Sequence, residues 1–404
     1  MKNFLLLVLL SSLFCSCDTS TPESLKVGPW RVALEVQDGQ ELPFLMTVRA
    51  DGTAVIVNAE ERIEVDEIRI EADSIFIQTP VFEGVIKGHF VNDKEIRGSF
   101  VKNSLNRVVP ITLRFGAQDR FKVSAEPATD VSGRWEAIFS PATQNAYSAL
   151  GIFKQEGAQV TGTFRTETGD YRYLEGVLDG ATLKLSTFDG AHAFLFTAQV
   201  TDSTLEGTFY SGNHFKEPFR AKRNPEFELM DEDSLTFLKQ GYDRFSFAFP
   251  NAQGDTIRAA DPRFKNKVAL VQIMGTWCPN CLDETKFYVD YLKNHPEAQL
   301  EIVALAFEYA PTPEKAFASI QRLQDLLDIP YPILLAQYGT SDKQEAAKKL
   351  PMLNQVLSYP TTLYIDKNQR VRKIHTGFNG PATGDKYEEF KENFDRTVQQ
   401  LLSE

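Results

Sequence analysis

Two of the four cysteines in this chain, Cys278 and Cys281, stand in the run Gly275-Thr276-Trp277-Cys278-Pro279-Asn280-Cys281. The run follows the apolar stretch Val268 to Met274, which reads as a strand, and opens a segment that reads as a helix. A sulfur at the first turn of a helix faces unpaired backbone N–H groups and the positive end of the helix dipole. Cys278 should therefore ionise more readily than a free thiol. Cys281 lies one turn on, within disulfide reach. Such a pair can attack a partner's disulfide through Cys278 and resolve the mixed intermediate through Cys281, with no cofactor beyond the cysteines themselves. A zinc site would need two further ligands, and no second cysteine pair or spaced histidine pair exists, so no metal is expected.

The other two cysteines, Cys15 and Cys17, lie at the start of the chain, which leaves no structural disulfide framework elsewhere. Lys2 supplies a small positive region, Phe4 to Leu10 an apolar core, and Phe14-Cys15-Ser16-Cys17 a cleavage junction. The stretch is shorter than the roughly 20 apolar residues that span a bilayer. It resembles a bacterial lipoprotein signal, with Ser16 before the cleavage point and Cys17 as the lipidated new N-terminus. Phe14 departs from the usual Leu, and Cys15 is a competing acceptor. The resemblance implies a protein of the cell envelope, facing the periplasm and held by lipid to the inner or outer membrane. The alternative is an ordinary secretory signal cleaved nearby. Either way the chain is exported, into a compartment where disulfides persist.

At 404 residues the chain calls for two or three domains, and 42% hydrophobic residues are ample for packed cores. A net charge of −12 argues against a nucleic-acid partner and against broad attachment to anionic lipid. Asp18 to Ser24 reads as a tether. From Leu25 to Arg223, short runs rich in Val, Ile, Phe and Thr are broken by Gly or Asp-Gly turns such as Asp51-Gly52 and Asp179-Gly180, an all-β pattern. Gly28-Pro29-Trp30-Arg31 recurs as Gly133-Arg134-Trp135-Glu136. An apolar-x-Gly-x-Phe phrase also repeats, as Ile86 to Phe90, Ile96 to Phe100, Val160 to Phe164 and Leu205 to Phe209. These repeats predict two β-sandwich or barrel-like subdomains, 25–118 and 129–222, joined by a Pro-containing linker, with one continuous β-domain as the alternative. His89, His192 and His214 are isolated in sequence and read as surface or packed residues.

After a charged connector, Glu226 to Asp233, the pattern changes. Phe245 to Ile257 reads as a hairpin around Gly254. Strands at 268–274, 301–307, 331–336, 361–366 and 371–376 then alternate with helices at 281–291, 313–327 and 343–350. A last helix carries Tyr387, Phe390, Phe394, Val398 and Leu401 at helical spacing. Thr312 and Pro313 suit the start of the second helix.

A strand, a W-C-x-x-C helix and a late X-Pro leading into a strand, with the preceding hairpin and the extra helical insertion, resemble the TlpA/ResA branch of exported thioredoxin-fold thiol–disulfide oxidoreductases. The resemblance covers 241–404. Together with the all-β pattern before it, this predicts a multidomain chain in which an all-β region precedes an α/β thioredoxin-like domain. The resemblance also implies a cis peptide bond before Pro360, in Ser358-Tyr359-Pro360-Thr361, facing the cysteines. Trp277, Pro279, Asn280, Tyr359 and Pro360 would then meet the substrate, with Trp277 also shielding the sulfurs. Thioredoxin's buried Asp is replaced here by Gln272, so proton handling must move. The branch suggests Glu284, three residues after Cys281, and Glu308, after the next strand, as carboxylates able to take a proton. The implied activity is reduction of disulfides in client proteins, with electrons from a membrane or extracytoplasmic donor. The alternatives are a thioredoxin-fold peroxidase, for which Gly275 stands where peroxiredoxins carry Thr, and a non-enzymatic binding or scaffold lipoprotein.

Overall fold

A computed structural model describes residues 24–296 and 298–404. Cys15, Cys17 and nearly all of the expected tether lie outside the described residues. Among those described, no helix is long and apolar enough to cross a membrane.

Residues 28–115 form a nine-stranded antiparallel meander in which the first strand, Gly28–Glu35, pairs with the last, Arg107–Phe115. The sheet stays open where Glu61–Val65 turns into Ile68–Glu71, since these two strands pair only with their other neighbours. Residues 133–223 repeat the plan. Gly133–Phe139 pairs with Phe215–Arg223, and Tyr147–Glu156 pairs on both sides, so this sheet closes into a barrel. The two tryptophans are equivalent in structure. Each is fully buried, and each indole N–H donates to the carbonyl four residues back: Trp30 to Lys26 at 2.9 Å, Trp135 to Val131 at 2.8 Å. The glycines of the repeated phrases sit where neighbouring strands come too close for a side chain. A Cβ on Gly98 would lie 2.0 Å from the Lys87 carbonyl oxygen, and one on Gly207 would lie 2.1 Å from that of Thr197.

The two sheets share a core along one side. Phe188, Ala193, Leu195 and Tyr210 of the barrel pack into the apolar cluster of the first sheet, where Phe188 stacks on Phe44 with ring centres 4.2 Å apart. The segment between them is pinned by Arg120. Its buried guanidinium donates to the carbonyls of Pro43, Val57 and Ser186 and pairs with Glu175 at 3.1 Å. A basic residue in a linker would ordinarily point to solvent, but here it satisfies carbonyls from both sheets.

The C-terminal domain is a mixed five-stranded sheet in the order Ile333–Gln337, Leu300–Phe307, Val268–Met274, Thr361–Ile365, Val371–Thr376. The first three strands run parallel and the last two antiparallel. Every residue of the central strand is buried, as its unbroken apolar run requires. Among the described residues, four helices flank the sheet: α1 (Pro279–Asn294), α2 (Pro313–Leu327), α3 (Lys343–Lys349) and α4 (Asp385–Ser403). Thr312 caps α2, with Pro313 at its first position. α4 buries Phe390, Phe394, Val398 and Leu401. The charged connector is docked rather than loose: Glu232 is buried and accepts from Arg165 and Asn379.

Candidate active site

Cys278 caps the N-terminus of α1, and its sulfur accepts the Cys281 amide at 3.2 Å. This is the arrangement that stabilises a thiolate. The two sulfurs are joined as a disulfide, with Cα atoms 5.2 Å apart. Cys278 is 6% exposed and Cys281 not at all, so only the first sulfur can be approached. The Tyr359–Pro360 bond is cis, and the Tyr359 carbonyl oxygen lies 3.4 Å from Cys278 Sγ. Trp277 covers the pair from one side. Its indole N–H donates to the Phe307 carbonyl at 2.9 Å, and its ring meets Tyr359 edge-on. Gly275 makes room for that ring, since a Cβ there would lie 2.4 Å from the indole nitrogen.

The two sequence-predicted carboxylates are both buried but occupy different places. Glu308 accepts the backbone N–H and the hydroxyl of Thr276, each at 2.8 Å, directly before the Trp-Cys pair. Burial pushes its carboxyl up to about 7 despite those two bonds. Glu284, on α1, accepts from Tyr288 (2.9 Å), Thr362 (3.0 Å) and Gln272 (2.8 Å), so Gln272 acts as a hydrogen-bond donor to this carboxylate. Burial raises Glu284 as well, and these donors partly offset it.

The β-barrel supplies a wall that the sequence did not announce. The turn after Gln159–Thr166 reaches over the cysteine motif: Ser358 Oγ donates to the Thr168 carbonyl at 2.8 Å, and Asn280 Nδ2 donates to that of Asp170 at 3.3 Å. Gly169 has φ +138°, and a Cβ there would lie 2.0 Å from Asn280 Nδ2, so this contact admits only glycine. Asp170, which accepts the Gly380 amide at 2.6 Å, is held up to about 6, chiefly by burial. Arg172 locks the assembly. It is 4% exposed, donates to the Pro279 carbonyl at 3.3 Å, and pairs with Asp189 of the barrel at 3.2 Å, with Asp283 of α1 and with Glu61 of the first sheet. Between barrel and motif lies a cleft of about 560 Å³, lined by Tyr147, Tyr171, His192, Phe194 and Tyr359 along with Cys278. His192, isolated in sequence, is thus brought by the fold into the lining of the same cleft as Cys278. Asp170 and Arg172 carried no sequence signal of a role here, being common residue types outside any motif, and Thr276, within the cysteine run, was not singled out.

Residues 241–374 match the AhpC/TSA family. The thioredoxin-like protein YneN of Bacillus subtilis is 26% identical over 140 residues, which cover 35% of this chain and 73% of that protein. The C-terminal domain is a thioredoxin-like oxidoreductase domain. Among solved structures, a thioredoxin-family thiol:disulfide interchange protein from Chlorobium tepidum is 20% identical, covering 41% of this chain and 98% of its own, with a TM-score of 0.30. A thiol-disulfide oxidoreductase from Bacteroides fragilis is 17% identical, covering 37% and 99%, with a TM-score of 0.28. In this thioredoxin-like domain the described residues contain no grouping of three or more His, Cys, Asp or Glu side chains able to hold a metal.

Proposed function

We propose that this protein is an exported, membrane-anchored thiol–disulfide reductase. The observation that carries the reading is the Cys278 sulfur at the head of α1, held by the Cys281 amide and faced by the Tyr359–Pro360 bond. In the dithiol form, Cys278 thiolate attacks one sulfur of a client disulfide, forming a mixed disulfide and releasing the other client sulfur as a thiolate. Cys281 thiolate then attacks Cys278 Sγ, closing the intramolecular disulfide and releasing the second client sulfur. Two electrons pass from the cysteine pair to the client, and an extracytoplasmic dithiol donor returns them. Glu308 is the acceptor for the proton leaving the Cys278 side of the site, since it titrates near neutrality and is bonded to Thr276. Glu284, three residues beyond Cys281 on the same helix, serves the resolving thiol. Lys2, the apolar run Phe4 to Leu10 and Cys17 support export and lipid anchoring.

The test is reduction of insulin disulfides by the full chain with dithiothreitol as donor. Cys278→Ser should abolish it, and retained activity would sink the reading. Cys281→Ser should accumulate a mixed disulfide that mass spectrometry can identify. The AhpC/TSA match favours a second reading, peroxide reduction. Against it, the space above Gly275 is filled by Trp277, and consumption of hydrogen peroxide by the reduced protein would be the finding in its favour.

A further inference from the structure

A second cavity, of about 240 Å³, opens where the three parts of the molecule meet. The first sheet contributes Lys102 and Arg107, the barrel His192 and His214, and the thioredoxin-like domain Trp277 and Tyr309. His192 and Trp277 also line the cleft that holds Cys278, so the two hollows are neighbours across these side chains.

The charge of this cavity is unusual for a chain of net −12. Among the described residues, no carboxylate lines it. Lys102 is 7% exposed, and its ammonium group, with three N–H donors, makes one hydrogen bond, to the Ala191 carbonyl at 3.0 Å. The nearby carboxylates are turned to other partners. Asp189 accepts the amides of Ala191 and His192 and faces Arg172 and His192 Nδ1, each at 3.2 Å. Glu83 takes the Tyr309 hydroxyl and the Ser104 amide, both at 3.3 Å. Arg107 has no hydrogen-bond or ion-pair partner among the described residues. Burial holds Lys102 down to about 8. Loss of water together with the charges of Arg107 and Lys102 holds His214 down to about 4. Lys102 feels the charges of Asp189 and Glu83 but is bonded to neither, and binding an anion would relieve part of the cost of its burial. A second unspent group lies on the cleft side. Tyr359 is 7% exposed, lines the cleft, and its hydroxyl has no hydrogen-bond partner among the described residues.

We propose that the cavity bounded by Lys102, Arg107 and His214 is an anion subsite that holds the carboxylate of a small disulfide whose sulfurs lie at Cys278. The proposal rests on the reductase reading above and narrows its substrate class. The cleft that Cys278 lines has the scale of a small-molecule site, and the smaller hollow beside it has room for one end group. The β-region thereby acquires a role in selecting substrate.

The experiment uses the full chain, reduced with dithiothreitol and freed of it, and two disulfides with one skeleton: 3,3′-dithiodipropionate and its uncharged diamide. Oxidation of the protein is followed by the change in tryptophan fluorescence, and the released thiols are followed by chromatography. At low salt the diacid should react about ten-fold faster or more than the diamide, and added salt should shrink the ratio. Arg107→Gln and Lys102→Met should each pull the ratio toward one. Arg107→Gln breaks no side-chain hydrogen bond or ion pair among the described residues, and a urea midpoint equal to the parent's separates loss of the subsite from loss of fold. A wild-type ratio near one, or a ratio that Arg107→Gln leaves intact, overturns the subsite, as does reduction of insulin without reduction of either small disulfide. Failure to reduce insulin as well would instead sink the reductase reading.

Discussion

Arg172 offers the sharpest test of how the three parts of the molecule are joined. Its guanidinium is buried against Glu61, Asp189 and Asp283, whose side chains are 10%, 3% and 12% exposed. Arg172→Met leaves these carboxylates without their common cation, and removing one partner from a buried ionic cluster typically costs 3–5 kcal/mol. Each carboxylate keeps some support: Asp189 its two amides, Asp283 the Lys286 ammonium at 3.7 Å, and Glu61 the Asn58 side-chain amide at 3.0 Å. The expected loss is therefore near the lower end, about 3 kcal/mol. The chain carries only three tryptophans, and they report on separate bodies: Trp30 on the first sheet, Trp135 on the barrel, Trp277 on the thioredoxin-like domain. Urea unfolding of single-tryptophan variants should give coincident transitions with Arg172 present. In Arg172→Met the Trp277 transition should separate from the other two. Coincident transitions within about 0.5 kcal/mol of the parent at pH 7.5 would refute the reasoning, because that is the scale of an ordinary surface substitution.

Two further outcomes follow from single side chains. The folded-state pKa of Glu308, about 7, lies above its ordinary 4.5, so the folded protein holds this proton more tightly than the unfolded chain. Its contribution is intact below about pH 4.5 and is lost as pH rises through 7, an order-of-magnitude effect of about 3 kcal/mol. Glu308→Gln should be more stable than the parent at pH 8 and equal to it near pH 4.5, as read from denaturation of the oxidised protein; parallel pH slopes would exclude the assignment. Gly169→Ala forces a side chain into the Asn280 contact and an unfavourable φ, a strain of about 1–3 kcal/mol. It should lift the Thr166–Arg172 segment from the motif, seen as faster amide exchange across 166–172; unchanged protection would show that the close approach is dispensable.

What could be read from the sequence was whatever lies close together along the chain. The strand before the cysteines, the cap at Cys278, the α4 face and the start of α2 all depend on neighbours within a turn or two. The Trp30 and Trp135 repeats were visible because each indole is satisfied locally, four residues back. The thioredoxin resemblance implied a cis bond before Pro360, which the structure places opposite Cys278. The wall over the motif was not readable. Thr168 meets Ser358, and Arg172 meets Asp283 and Glu61, through contacts separated by more than a hundred residues and made by side chains that elsewhere would be solvated. Arg120 and Glu232 were hidden for the same reason, since a charge in a linker looks like surface until a distant carbonyl or guanidinium arrives. Nor does turn spacing tell which of two similar meanders closes, because closure depends on the pairing of strands at opposite ends of the unit.

The hydrogen bond from Ser358 to the Thr168 carbonyl has a consequence for how such a protein can diverge. The sulfur chemistry is set by α1 and the Tyr359–Pro360 segment, whereas part of the cleft's rim, residues 166–171, belongs to a different stretch of chain. Changes at 166–171, or around Lys102 and Arg107, can alter which molecules gain entry while the cysteine couple keeps its reactivity. Reactivity and part of the selectivity are thereby inherited on separate segments.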